Sequence, residues 1–241
     1  KYYNKEKYKK DIYKNPKGLL YGTIVHRAIE ILMKKSDNLK GFIDEDVKYA
    51  TNRALNEIVE KIQINSVNIS QLYHPLSPMT NILMEAKLNK GNKEAQTILK
   101  KALQDFIEKA LSNFVNNQEV RELLLNAKEV YTEMPFTIAI NKENMEIYEM
   151  ISGLSSNDSS KEFLINGTMD LVIKNVDDTW TILDYKTNTI GMGNAIKTLK
   201  RLYTPQLKGY KILFEEILKV EKACVKDLII YSTYIDELIY L

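Results

Sequence analysis

Cysteine is almost missing from this chain: Cys224 is the only one in 241 residues. A lone cysteine excludes an internal disulfide framework, and it excludes any zinc or iron–sulfur site built from this chain's own thiolates. It also fits a reducing compartment. Long apolar runs are missing too. No stretch of 18 apolar residues and no signal-peptide pattern occurs, so a cytoplasmic protein that does not span a membrane is the expectation. Charge of one sign is not in excess, since 34 Lys and Arg face 32 Asp and Glu for a net of +2. Affinity for a polyanion would have to come from local patches rather than bulk charge. A P-loop of the form G-x-x-x-x-G-K-[ST] is also lacking; Gly191-Met-Gly-Asn-Ala-Ile-Lys197 is glycine-rich but wrongly spaced. The expectation is therefore no ATP site in this chain. The first residue is Lys1, not Met, and the expectation is a piece of a longer protein, with room for a motor or targeting domain in the remainder.

What is present suits one large domain, or one domain with a substantial insertion. The 44% hydrophobic content is enough for an ordinary globular core. Residues 1–17 hold seven lysines and four tyrosines against Glu6 and Asp11. This basic arm, extending to residue 21, is either a solvated tail or a phosphate-contacting segment with stacking faces. Helical periodicity is expected over Gly22–Lys35, 44–64 and 94–116, with a short helix near 118–127. Pro75, Pro78 and Gly91 mark residues 66–93 as irregular. Residues 37–128 are read as a mostly helical insertion. Strands are expected over Glu129–Ile140, Met145–Ile151, Phe163–Lys174, Trp180–Tyr185 and Leu228–Tyr234, with a helix over Asn194–Lys219 that Pro205 interrupts or bends. That order gives an α/β fold with a mixed sheet flanked by helices.

Two acids and a lysine stand out against this background. Asp170 lies inside Gly167-Thr-Met-Asp170-Leu-Val-Ile, and Asp184-Tyr185-Lys186 ends the apolar run that begins at Trp180. Burying an unpaired carboxylate is costly, so two in consecutive strands suggest a shared hard cation with oxygen ligands. Alternation along a strand puts Asp184 and Lys186 on one face, where the ammonium could meet a scissile phosphate. The plain alternative is two strand-end acids in water and a surface ion pair contributing ~0–1 kcal/mol. His26 and Glu30, four apart, share a helix face, as do Gln206 and Tyr210.

Taken in order, Gly22-Thr-Ile-Val-His26-Arg-Ala-Ile-Glu30, Glu133-Met-Pro-Phe136, Gly167-Thr-Met-Asp170, Asp184-Tyr-Lys186-Thr187 and Gln206-Leu-Lys-Gly-Tyr210 form a constellation. It resembles the RecB-like nuclease family of the PD-(D/E)xK superfamily, closest to the C-terminal nuclease domain of AddA- or RecB-type helicase–nucleases. The resemblance runs from about Gly22 to Tyr210. It implies a restriction-endonuclease-like core over 1–241 with the helical insertion, within a longer helicase–nuclease chain. It implies metal ligation by His26, Asp170, Asp184 and the Tyr185 carbonyl, with Mg²⁺ (Mn²⁺ as substitute) and no iron–sulfur cluster. Asp170, Asp184 and Lys186 would be catalytic. Gln206 and Tyr210 would contact DNA or its phosphates, and Glu133 and Glu30 would support the site. The expected function is an exonuclease acting on DNA ends in recombination and repair, alongside a helicase domain or subunit. Two other readings stand beside it: a silent nuclease-like module that binds DNA or a partner protein, and an α/β scaffold whose acids are surface ion pairs.

Overall fold

The computed structural model describes residues 15–35, 43–152, 162–190, 194–218 and 224–241. Most of the basic arm, the segment 153–161 and the glycine-rich 191–193 fall outside them. The chain forms two compact units: Lys1–Asn116 with Thr187–Thr189, and Asn117–Lys186 with Ile190–Leu241.

The first unit is helical. Its first helix, α1 (Gly18–Lys35), buries Tyr21, Ile24, Val25, Ala28, Ile29 and Leu32 at the spacing that marks one helix face. Gly18 takes a φ of 80°, and a Cβ there would stand 2.6 Å from the Gln71 carbonyl oxygen, so this start admits only glycine. Helix α2 (Asp44–Val59) opens on Asp44, Glu45 and Asp46, a first turn suited to the positive end of the helix dipole. It ends five residues before the expected boundary. The Gln96 amide donates to the Glu60 and Ile62 carbonyl oxygens (3.1 and 2.8 Å), satisfying groups that a longer helix would have used. Residues 66–93 also depart from expectation, since they hold α3 (Ile69–Leu72) and α4 (Pro78–Asn89). Pro78, expected as a breaker, sits instead at a helix start, where its missing N–H costs nothing, and Ser77 caps the turn by accepting from the Met79 amide. Helix α5 (Asn92–Asn116) lines the core with Leu99, Leu103, Ile107, Leu111 and Phe114.

The second unit begins with α6 (Gln118–Leu125), capped by the Asn117 side chain accepting from Val120 N. Strand β1 (Ala127–Ile140) pairs antiparallel with β2 (Phe163–Asn175) along nearly its whole length. Between them the expected strand over Met145–Ile151 is instead helix α7 (Met145–Ser152). Asn141 and Asn144 decide this: each side-chain oxygen accepts backbone N–H groups of the turn and closes the chain into a helical start. Strand β3 (Trp180–Lys186) pairs antiparallel with β2, and helix α8 (Ala195–Leu218) then returns the chain so that β4 (Val225–Ser232) lies parallel to β3. A fifth strand, β5 (Glu237–Tyr240), adds an antiparallel edge beyond the expected last one. It is reached through a turn in which Asp236 takes a φ of 54° and accepts from the Tyr231 hydroxyl at 2.7 Å.

The sheet order is β1-β2-β3-β4-β5, so the unit is α/β with a mixed five-stranded sheet, a restriction-endonuclease-like core. Helix α8 covers that sheet. Val172, Ile182, Leu213, Phe214 and Val225 pack with Phe136, Met169 and Tyr210 at one end, and Leu199, Leu207, Ile230 and Ile239 at the other. The helix runs through Pro205 without interruption. Both Pro205 and Arg201, whose carbonyl loses its partner there, are exposed, so water can replace the lost bond. Among the described residues, no helix is long and apolar enough to cross a membrane.

Candidate active site

Three carboxylates come from three neighbouring strands at one level of the sheet. Glu133 and Asp170 fall between the cross-strand pairs Thr132–Leu171 and Met134–Met169. Asp184 falls one step past the pair Leu171–Leu183. Carboxylate oxygens of Glu133 and Asp170 lie within 4.8 Å of each other. Asp170 and Asp184 are 9% and 3% exposed, which in ordinary circumstances would require charged partners. Asp170 Oδ2 accepts from the Tyr185 backbone N–H at 2.7 Å, fixing its carboxyl across the β2–β3 seam.

Glu133 reaches this row through a bent backbone. Its φ is 49°, a left-handed conformation that non-glycine residues rarely adopt. The burial pattern of β1 and β2 loses strict alternation near this point, with Met169 and Asp170 both buried. The register is nonetheless continuous on either side of it, with Thr132 opposite Leu171 and Met134 opposite Met169.

Lys186 stands next to the acids with its ammonium held on three sides. Its Nζ is 2.5 Å from Asp184 Oδ2, donates to Gln206 Oε1 at 3.2 Å, and sits 4.2 Å from the centre of the Tyr203 ring. The Gln206 amide in turn donates to the Tyr210 hydroxyl at 3.0 Å. Tyr203, Gln206 and Tyr210 are spaced three and four apart, so successive turns of α8 present them together. Tyr203 carried no mark in the sequence motifs; its spacing of three from Gln206 is the signal that could have found it.

Two phenols report the local field. Burial, then Asp170, Glu133 and Asp184, push the Tyr185 hydroxyl well above its usual pKa. Burial and then Asp184 and Asp170 raise Tyr210 as well, with Glu133 adding to it and the Gln206 hydrogen bond opposing. Both tyrosines therefore feel the same three negative charges. An all-oxygen, multiply negative set of this kind suits a hard divalent cation, whose ligand oxygens at about 2.1 Å stand about 3–4 Å apart. The donors present fit such an ion.

The remaining sequence-derived residues lie in the first unit. His26 is half-buried on α1. Glu30, on the same helix, is engaged by Arg27 (2.5 Å) and Lys34 (2.6 Å), and Arg27 also pairs with Glu57 at 2.7 Å. Burial raises the Glu30 carboxyl, but the hydrogen bonds from Lys34 and Arg27 outweigh it and hold the group below its usual range.

The sequence model of the PD-(D/E)XK nuclease superfamily matches residues 2–233. Over 94 residues, 39% of this chain, the sequence is 32% identical to an ATP-dependent helicase/nuclease subunit of Carboxydothermus hydrogenoformans. That match covers 7% of the relative, so the chain spans only a small part of its length.

Proposed function

The chain belongs to the PD-(D/E)XK nuclease superfamily, and from that premise we propose that it is a Mg²⁺-dependent deoxyribonuclease, an exonuclease hydrolysing phosphodiester bonds at DNA ends in recombination and repair. The observation that carries this reading is the row of Glu133, Asp170 and Asp184 on adjacent strands with the Lys186 ammonium held beside it. We further read residues 1–241 as one nuclease domain with a helical insertion over 37–128. A helicase domain or subunit would work with it, as the name of the Carboxydothermus relative suggests.

Asp170 and Asp184 would hold the metal, together with the Tyr185 carbonyl; His26, which the family resemblance adds as a ligand, belongs to the helical unit. Glu133 joins them because its carboxylate lies beside that of Asp170. A bound divalent ion acidifies and orients the attacking water and offsets charge on the phosphate. The chain's own residues do the positioning. Asp184 and Gln206 fix the Lys186 Nζ, so its charge is already in place when negative charge develops on the phosphoryl oxygens. Tyr203 adds an aromatic face to the same ammonium. Gln206 keeps a second amide contact, to Tyr210, which anchors it against the core.

The test is cleavage of end-labelled linear and closed circular DNA in Mg²⁺, Mn²⁺ or EDTA. Lys186→Ala is expected to lower kcat by about 10²–10³-fold, the loss seen when one preorganised charge donor is removed. Metal-dependent loss of linear DNA with circles intact supports the exonuclease reading. DNA binding without cleavage in either metal would refute it in favour of a binding module.

A further inference from the structure

The helix that presents Tyr203, Gln206 and Tyr210 has a second face of a different character. From Ala195 to Phe214 its sequence contains Lys197, Lys200, Arg201, Lys208 and Lys211 and no Asp or Glu. Lys211 is already engaged, donating to the Val225 carbonyl at 2.9 Å with Glu215 at 3.9 Å. The other four are exposed. At 3.6 residues per turn they fall within an arc of about 100°, while Leu199, Leu207, Tyr210 and Phe214 are buried on the sheet side. Among the described residues none of these four cations has an acid within ion-pairing distance. Elsewhere on the surface, lysines are paired, as in Lys90–Glu94, Lys100–Glu60 and Lys128–Asp178.

The placement of these charges is unfavourable for the helix itself. Lys197, Lys200 and Arg201 crowd the first two turns, where no acid stands in the first turn to meet the positive end of the dipole. A cation there works against the macrodipole rather than with it. An anionic partner reverses the sign of that effect. The stripe from Lys197 to Lys208 is about 16 Å long, and a nucleic-acid strand offers a phosphate about every 3.4 Å along its axis. The stripe positions themselves hold only Lys, Arg and Thr204, with none of the aromatic anchors that fill the centre of a protein–protein contact.

We propose that this stripe is a second, sequence-independent contact for the phosphate backbone of DNA, holding the strand beyond the scissile bond. The inference rests on the nuclease reading above, because the same helix carries the residues that hold Lys186. A strand passing Gln206 would need to cross only about one helix diameter, some 10–12 Å, to reach the stripe.

The test is equilibrium binding of a labelled oligonucleotide in EDTA, using the full chain with Asp184→Asn so that nothing is cut, between ~50 and ~200 mM salt. Replacing Lys197, Lys200, Arg201 and Lys208 together by Gln is expected to make the slope of log affinity against log salt shallower by about 3. The pairwise variants K197Q/K200Q and R201Q/K208Q should each give about half of that change, and Lys→Arg replacements should leave the slope as it was. An unchanged slope, while the unaltered chain still cleaves DNA in Mg²⁺, overturns the stripe and leaves the nuclease reading intact. An unchanged DNA slope with weakened binding to an acidic peptide assigns the stripe to a protein partner and overturns the proposal. If the unaltered chain neither binds nor cleaves DNA, the nuclease reading fails and the stripe with it.

Discussion

Gly167 and Phe136 stand opposite each other in the β1–β2 pairing, and a methyl group at residue 167 would test how tightly they fit. A Cβ built there would lie 2.3 Å from Phe136 Cζ and 2.8 and 2.9 Å from the two Cε atoms. The ring is 6% exposed and meets Tyr210 edge-on at 5.8 Å between centroids, so it has nowhere to turn. To restore ordinary contact distance the ring or the strand must move by about 1 Å, an overpacking that costs about 1–3 kcal/mol. Gly167→Ala should therefore lower the melting temperature by roughly 2–4 °C for each kcal/mol. Phe136→Leu alone should destabilise too, by leaving a cavity. Combined, the two changes should relieve each other, with a favourable coupling of about 1 kcal/mol or more in a double-mutant cycle read by urea denaturation. Strict additivity, within about 0.5 kcal/mol, would refute the idea that the glycine exists to admit the ring.

Asp184→Asn is expected to abolish cleavage and keep the wild-type melting transition; unchanged cleavage would remove Asp184 from the site. Tyr203→Leu should lower kcat by about tenfold with little change in KM, since a cation–π contact contributes about 1–2 kcal/mol when desolvated, whereas Tyr203→Phe should retain activity. Equal loss in both variants would assign the effect to the hydroxyl instead. Glu30 is held below its ordinary value of 4.5, so its contribution to stability is present above that value and lost as pH falls through the lower folded one. The stability advantage of the native chain over Glu30→Gln, measured by urea midpoint, should accordingly be present at neutral pH and shrink as the pH falls below 4.5. A gap that stays constant would show that the ion pairs with Arg27 and Lys34 do not couple to folding.

The strands bearing Asp170 and Asp184 were legible because an alternating β-rich run and a short apolar run leave few alternatives, and Phe163–Asn175 and Trp180–Lys186 lie within a residue or so of where those patterns put them. Placing Asp184 and Lys186 on one face followed from that alternation alone. The nearness of Glu133 to Asp170 was not readable in the same way. It depends on the register between strands separated by an intervening helix, and on a local backbone bend that no residue preference announces. Met145–Ser152 misled for a related reason. Its apolar residues suit a helix and a strand about equally, and Asn141 and Asn144, which decide the matter, look like ordinary loop residues. Ser77-Pro78 shows the opposite error, since proline stops a helix from within and starts one from its first position.

The left-handed backbone of Glu133 also bears on how this chain would respond to selection for robustness. A glutamate at a φ of 49° carries a conformational cost of about 1–2 kcal/mol that glycine would not. Any search for more heat-resistant variants, whether by random mutagenesis or by consensus design, would be drawn to this position early and would favour glycine or asparagine there. Such a variant would look like an improvement in every melting experiment while lacking the carboxylate that faces Asp170. On the metal-holding role proposed for Glu133, durability and turnover would be set against each other at one residue, and a screen that reads only the first would erase the second.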